Sequence, residues 1–197
     1  FVFPPYNAIQ LQDILNDRCK DAFNEGVVAE GVVAKCAAYA AREHGDARRA
    51  LDLLRIAGEL SERDGEKSVE EDYIDLANKK IERDKILDIV ENEPKQFQLV
   101  LYSIMKLTED MKDNLGERFF TGDVYNYYQE LCNRIKTDSL TQRRISDILA
   151  EIDMLGLINA KVISKGRHGR TREIKLSIPS NLFEKVEAIL KESLSLN

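Results

Sequence analysis

The sequence has few cysteines and histidines. Its thiol and imidazole groups are Cys19, Cys36, Cys132, His44 and His168. The cysteines form no Cys-x-x-Cys pair, and neither histidine has a ligand partner at helical spacing, which argues against a zinc site and a disulfide framework. We therefore expect free thiols that pack as small apolar groups in a reduced, cytoplasmic compartment.

Membrane and export signals are absent as well. No apolar run approaches the roughly 18 residues that a membrane span needs, so no membrane partner is expected. The first residues have neither the basic region nor the apolar stretch of a signal peptide. Because the chain does not begin with Met, we expect it to start inside a longer protein.

The composition is that of a folded protein with an uneven charge distribution. Apolar residues make up 43% and charged residues 32% of the 197, and this length allows one large or two small domains. The formal net charge is −6, yet residues 1–93 carry −8 and residues 94–197 carry +2. Residues 161–175 hold six basic groups and one acid, a local net charge of +5. This basic edge predicts an anionic partner.

The first part of the chain has the apolar periodicity of helices and no strand pattern. Four helices are predicted, which start after Asn7, near Val28, after Asp46 and at a capping box of Ser68 and Glu71. Pro94 follows the acidic end of the fourth helix and is the predicted domain boundary. Residues 1–93 are thus expected to form a helical bundle, and residues 94–197 a second domain.

The second part changes from helical to strand periodicity. Three helices are predicted, over about residues 95–107, after Thr121 or Asp123, and over about 140–155 with Ser139 as the cap. Alternating runs at 158–162 and 174–178 then flank a basic turn with two glycines, and an amphipathic helix follows at about 181–191. Three helices followed by a hairpin with a basic tip predict a winged helix-turn-helix domain. The fold class is therefore mainly α with a β-hairpin wing.

The third helix of this domain has polar residues where a recognition helix contacts base edges. Thr141, Gln142, Arg143 and Arg144 occupy its start, and Arg143 lies opposite the apolar stripe. Arginine can pair with guanine and glutamine with adenine, whereas the alternative is an ordinary solvated face. The hairpin adds further candidates for phosphate or minor-groove contact, which are Lys165, Arg167, His168, Arg170 and Arg172. Its alternative is a solubilising charge run.

A third cluster combines a helix start with two arginines. Asp46 caps a helix whose first turn contains Arg48 and Arg49. Cations at this end oppose the helix dipole, so the site suits an external anion such as a phosphate. The alternative is a pair of surface arginines bound to nearby acids.

Three stretches together resemble the C-terminal half of archaeal AAA+ replication initiators related to origin recognition complex subunit one and cell division control protein six. These are residues 3–18 with Phe-Pro-Pro-Tyr at the start, residues 45–52 with the sequence Gly-Asp-Ala-Arg-Arg-Ala-Leu-Asp, and residues 140–158. The resemblance covers essentially the whole chain and implies a helical AAA+ lid domain followed by a winged helix. It also implies that Arg48 is the sensor-2 arginine, which reaches the nucleotide phosphates from the lid.

The sequence departs from that family in one respect. It contains no G-x-x-x-x-G-K-[ST] motif, and the acidic Mg²⁺-binding motif of the ATPase core is missing too. We therefore expect this fragment to have no catalytic residues, metal site or cofactor of its own, and its parent to be a slow ATPase that uses ATP or ADP with Mg²⁺. The ATPase core of the same protein is then an expected partner.

The leading hypothesis is recognition of double-stranded origin DNA at the start of replication, with recruitment of the replicative helicase and contact with other initiator paralogues. A winged-helix transcription regulator with a helical dimerisation domain is the first alternative. A protein-interaction module that no longer binds DNA is the second. The arginine pair after Asp46 favours the initiator over the regulator, and the basic hairpin favours it over the interaction module.

Overall fold

A computed structural model describes residues 2, 4–112, 118–164 and 170–196 of the chain. Two compact units are distinguished, Phe1–Asp84 and Lys85–Asn197, and the division falls inside the fourth helix. Pro94 lies just after the end of that helix. The predicted domain limits, 1–93 and 94–197, stay a prediction. In the part of the chain that is described, no helix is both long and apolar enough to cross a membrane.

The first unit is a helical bundle. Its helices are α1 (Ala8–Ala22), α2 (Val32–Glu43), α3 (Ala47–Arg63) and the first part of α4 (Glu71–Asn92). Each helix contributes apolar side chains to one core, which includes Leu11, Leu15, Cys36, Leu53 and Ile74, all fully buried. The four predicted helices are therefore present, because their apolar positions recur at a spacing that places them on one side.

Two of the helix starts predicted for the first unit are wrong. Helix α2 begins at Val32 and not near Val28, because Val28 forms an isolated parallel bridge with Val69 before the chain turns through Gly31, whose φ is 92°. Helix α4 begins at Glu71, so Glu71 is not the third residue of a capping box that starts at Ser68. The Ser68 hydroxyl instead donates to the Glu70 carboxylate at 2.8 Å.

The second unit is a winged helix. Its elements are α5 (Lys95–Lys112), β1 (Phe119–Phe120), α6 (Thr121–Arg134), α7 (Gln142–Met154), β2 (Ile158–Ser164), β3 (Arg170–Leu176), a 3₁₀ turn (Ser180–Leu182) and α8 (Phe183–Leu194). The three strands form an antiparallel sheet in the order β1-β3-β2. The predicted fold class is confirmed, although β1 was not predicted because two residues show no alternation.

The register of the hairpin separates its buried base from its projecting end. Ile158 pairs with Leu176 and Ala160 with Ile174, and Ile158 and Ile174 are buried against the helices. Further along the same face, Val162 is 58% exposed. The hairpin formed by β2 and β3, called the wing below, therefore starts in the core and extends beyond it.

Candidate functional site

Helix α7 begins with a different cap from the one predicted. Thr141 is the capping residue, and its hydroxyl accepts the backbone N–H of Arg144 at 3.4 Å. Ser139 lies two residues earlier, outside the helix. Serine and threonine are both good caps, so residue type did not distinguish them. The later start places Gln142 at the first helical position and Arg143 at the second.

The two faces of α7 differ as the sequence predicts. Ile145, Ile148, Leu149 and Ile152 are buried, whereas Gln142, Arg143 and Arg144 are exposed. Arg144 lies 3.8 Å from the Asp147 carboxylate, and both side chains are more than half exposed, so that ion pair contributes little to stability. The Arg143 guanidinium has no hydrogen-bond or ion-pair partner among the described residues. The start of α7 thus presents unengaged polar groups to solvent.

Two tyrosines of α6 hold the segment that leads into α7. The Tyr128 hydroxyl accepts the backbone N–H of Leu140 at 2.9 Å and donates to the Gln96 side chain. The Tyr125 hydroxyl donates to the Leu140 carbonyl at 3.3 Å. Burial raises the pKa of Tyr128 to about 12, so its hydroxyl keeps its proton. The sequence shows the tyrosines but does not reveal that they bond to the backbone of Leu140. These hydrogen bonds hold the segment from which α7 starts.

A groove of about 670 Å³ lies between the start of α6, the outer face of α7 and the wing. Its lining combines polar and basic groups from all three elements, and it consists of Phe120, Thr121, Gly122, Asp123, Gln142, Ser146, Val162, Arg170, Thr171 and Arg172. Gln142 and Arg170 are exposed at its edges. A β-carbon added at Gly122 would have no atom within 4 Å, so the groove has room beside the start of α6.

Arg172 and Arg170 both line this groove, but their side chains have different environments. The Arg172 side chain is partly buried, and its Nη1 donates to the backbone carbonyl of Ser146 in α7 at 2.6 Å. Arg170 is exposed, and its guanidinium has no hydrogen-bond or ion-pair partner among the described residues. The three remaining predicted hairpin residues, Lys165, Arg167 and His168, lie outside the described residues. The two arginines of β3 thus have different environments, which their spacing in the sequence did not indicate.

The single acid of the basic stretch is already neutralised. Glu173 on β3 is 8% exposed, and its carboxylate lies 3.3 Å from the Arg118 guanidinium. Lys161 and Lys175 are exposed on the same two strands. Because Arg118 compensates Glu173, this acid does not offset the exposed cations on the two strands of the wing, which present a positive surface.

The two arginines at the start of α3 also differ. Arg49 is half-buried and donates to both carboxylate oxygens of Glu43 at 3.0 and 3.2 Å, and to the Asn78 side chain at 2.5 Å. The Arg48 side chain is exposed and has no partner in the described part of the chain. Its backbone N–H donates to the Asp46 cap at 2.8 Å. Arg49 therefore links α2, α3 and α4, whereas Arg48 is available to an external anion.

The segment before α1 is hydrogen-bonded to Gly45, the residue that precedes the cap of α3. The Tyr6 N–H donates to the Gly45 carbonyl at 3.1 Å, and Gly45 has a φ of 65°. A β-carbon at position 45 would lie 2.4 Å from the Tyr6 carbonyl oxygen and 2.8 Å from Pro5. Glycine is thus required both by its backbone conformation and by the close approach of the N-terminal segment.

Comparison with known proteins gives two family matches. Residues 12–79 match the family described as Cdc6 AAA+ ATPase-type lid domain. Residues 88–186 match the family described as CDC6, C terminal winged helix domain.

Similar individual proteins come from several archaea. The chain is 51% identical over 185 residues to an ORC1-type DNA replication protein 1 of Methanosarcina mazei, covering 94% of this chain and 44% of that protein. An ORC1-type DNA replication protein of Thermococcus onnurineus is 55% identical over 177 residues, with 90% and 42% covered. The chain thus spans less than half the length of these relatives.

A solved structure is similar throughout. It is the structure of the Aeropyrum pernix ORC1 protein in complex with DNA, and it superimposes with a TM-score of 0.83 at 47% sequence identity. The match covers 98% of this chain and 48% of that one.

Proposed function

This chain belongs to the Cdc6 family, and we propose that it is the lid and DNA-binding part of an AAA+ replication initiator that recognises origin DNA. The observation that carries the proposal is the groove in which the exposed start of α7 meets the basic wing. The similar Aeropyrum pernix protein is described in complex with DNA, which supports a DNA ligand for this groove.

The proposed roles follow from the chemistry of each side chain. Gln142 and Arg143 are placed to contact base edges in the major groove, because they lie exposed in the first turn of α7. Thr141 and Arg144 flank them and are proposed to contact the adjacent backbone. Arg170 is proposed to neutralise a phosphate, together with the neighbouring hairpin residues Lys165, Arg167 and His168.

Arg48 is proposed to contact the nucleotide of the whole protein. Its guanidinium is exposed and unengaged among the described residues, and a bidentate donor of this kind fits phosphate oxygens. Arg49, also a sequence candidate, is proposed to act indirectly, since Glu43 and Asn78 already occupy its donors. The chain has no phosphate-cradling loop, so the nucleotide with its Mg²⁺ would be held by an ATPase core of the same protein.

Regulation and partners extend this proposal to the whole protein. ATP or ADP would supply the phosphate charge to which Arg48 responds, and slow hydrolysis would change that charge. The initiator would then help to recruit the replicative helicase in the cytoplasm, together with other initiator paralogues.

The proposal is tested by finding where the protein binds. Sequences that the full chain selects from a random duplex pool should bind at least a hundredfold more tightly than scrambled duplexes of equal composition. In the source cells, sites bound by the whole protein should coincide with replication origins that are mapped by marker frequency. Binding upstream of genes but away from origins would contradict the proposal and support a transcription regulator.

A further inference from the structure

Arg172 joins the wing to the outward face of α7. It lies on β3 opposite Val162, and its guanidinium donates to the carbonyl of Ser146 at 2.6 Å. Ser146 lies one turn after Gln142 on the same helix, and its hydroxyl donates to the Gln142 carbonyl at 3.1 Å. The contact of Arg172 is therefore with the helix that carries the proposed base-reading residues.

Arg172 donates its hydrogen bond to a backbone carbonyl that lies inside a helix. A carbonyl inside a helix accepts the N–H four residues later, and its second lone pair can accept another donor. A charge-assisted hydrogen bond is stronger than a neutral one, so it offsets the entropy that a fixed arginine side chain loses. Arg170, two residues earlier on the same face of β3, makes no such bond among the described residues.

The wing is attached to α7 at a second point. The backbone N–H of Ala160 in β2 donates to the Asp153 carboxylate at 2.8 Å. Ser146 and Asp153 are seven residues apart, which is about 10 Å along a helix. The buried base of the wing already holds it to the core. Two further attachments separated by this distance restrain the angle at which the wing extends along α7.

We infer that Arg172 is a positioning residue, which sets the angle between the wing and α7 so that both contact the same DNA duplex, and that it does not itself neutralise a phosphate. The inference rests on the proposed DNA-binding function. Two binding elements held at a fixed angle lose less freedom when they bind together than two elements that move independently. Arg172 thus supports affinity for a cognate site through geometry.

The test compares matched variants of the full 197-residue chain. Arg172→Met keeps most of the side-chain volume but removes the donor and the charge, and Arg170→Met makes the same change at the exposed position. Affinities for a selected and a scrambled duplex are measured by fluorescence anisotropy at several salt concentrations. Circular dichroism melting verifies that each variant is folded.

The two arginines should give different patterns. Arg172→Met should weaken binding to the selected duplex about tenfold, leave the scrambled duplex within about twofold, and keep the salt slope of the unmodified chain. Arg170→Met should weaken binding to both duplexes and lower the salt slope by about one. A second variant, Arg172→Lys, keeps the charge on a side chain that is one atom shorter, and it should also lose affinity for the selected duplex.

Other results would overturn the inference. A salt slope lowered by about one in Arg172→Met would identify a phosphate contact, and unchanged binding by Arg172→Met or Arg172→Lys would remove the positioning role. If the unmodified chain does not distinguish the duplexes, the proposed function fails. In that case the inference is still tested without DNA, by measuring amide hydrogen exchange. Exchange in α7 and the wing should accelerate in Arg172→Met and stay unchanged in Arg170→Met.

Discussion

The backbone N–H of Leu140 donates a hydrogen bond to the hydroxyl of Tyr128 at 2.9 Å. Tyr128 is fully buried, and the same hydroxyl donates to Gln96 in α5. Leu140 immediately precedes Thr141, the cap of α7, so this bond connects the core of the second unit to the start of the helix that is proposed to read DNA.

Removing this hydroxyl should destabilise the second unit. Tyr128→Phe leaves the Leu140 N–H and the Gln96 carbonyl without their partner, and we expect the free energy of unfolding to fall by about 1–3 kcal/mol. Urea denaturation measures this change. Tyr127→Phe is the control, because Tyr127 is on the same helix and its hydroxyl makes no hydrogen bond among the described residues. Equal losses in both variants would contradict the prediction.

Arg143 should contribute to sequence preference more than to general affinity. Arg143→Ala should cost about 1–3 kcal/mol of binding free energy on the selected duplex and much less on a scrambled one, because non-specific binding is mainly phosphate neutralisation. Titrations at fixed salt measure both values. Arg63→Ala makes the same charge change at an exposed site in the first unit, and it should leave the preference intact. A similar loss on both duplexes for Arg143→Ala would make this residue a phosphate contact.

Arg48 and Arg49, which are neighbours in α3, should have different roles, the first functional and the second structural. In the whole protein, Arg48→Ala should impair nucleotide turnover or the response to ADP and ATP while the melting temperature stays unchanged. Arg49→Ala should lower the free energy of unfolding by about 1–2 kcal/mol, because Glu43 and Asn78 lose a partner. If Arg48→Ala changes neither turnover nor nucleotide response, Arg48 is an ordinary surface residue.

This 197-residue chain should bind ATP only weakly by itself. Arg48 offers one guanidinium to a phosphate, and the chain has no phosphate-cradling loop beside it. Calorimetric titration should therefore detect no binding at micromolar ATP. A micromolar dissociation constant would show that the lid holds nucleotide without an ATPase core.

The three thiols should differ in reactivity. Cys36 and Cys132 are fully buried and Cys19 is partly exposed. Burial raises the pKa of Cys36 to about 12, so at pH 8 about one molecule in ten thousand carries its thiolate. The native chain should titrate about one equivalent of a thiol reagent quickly, and the urea-unfolded chain about three. Rapid reaction of three thiols in the native state would contradict the buried position of Cys36.

Acid should weaken the contact between α2 and α4. Hydrogen bonds from Lys35 and Tyr39 lower the pKa of Asp75 below its ordinary value. Because the folded-state pKa is below the unfolded one, this stabilisation is complete above the unfolded pKa and is lost as pH falls through the folded pKa. Asp75→Asn should therefore reduce the loss of stability as the pH falls below the ordinary pKa of an aspartate, about 4. Asp72→Asn, at an exposed site on α4, controls for the change of charge.

The sequence predicts the helices, the wing and the family, because these depend on local periodicity and on short motifs. It does not distinguish Arg48 from Arg49, since Glu43 and Asn78 come from other helices and meet Arg49 only in the folded bundle. It does not reveal that Arg172 contacts Ser146, because the acceptor is a backbone carbonyl that any residue would provide. It does not distinguish Thr141 from Ser139 as the cap of α7, because both residue types cap helices well. The roles of the predicted DNA contacts and of Arg48 stay predictions.

The short strand β1 leaves part of the sheet edge open. It pairs only with Glu173 and Ile174, so residues 170–172 of β3 have no strand on that side within the described residues. An uncovered strand edge can pair with another chain, and charged side chains at the edge oppose such pairing. Arg170, which is proposed to attract DNA, is therefore also expected to oppose pairing between copies of the protein at this edge. Charge-removing variants of the wing consequently risk self-association, and light scattering has to accompany their binding curves.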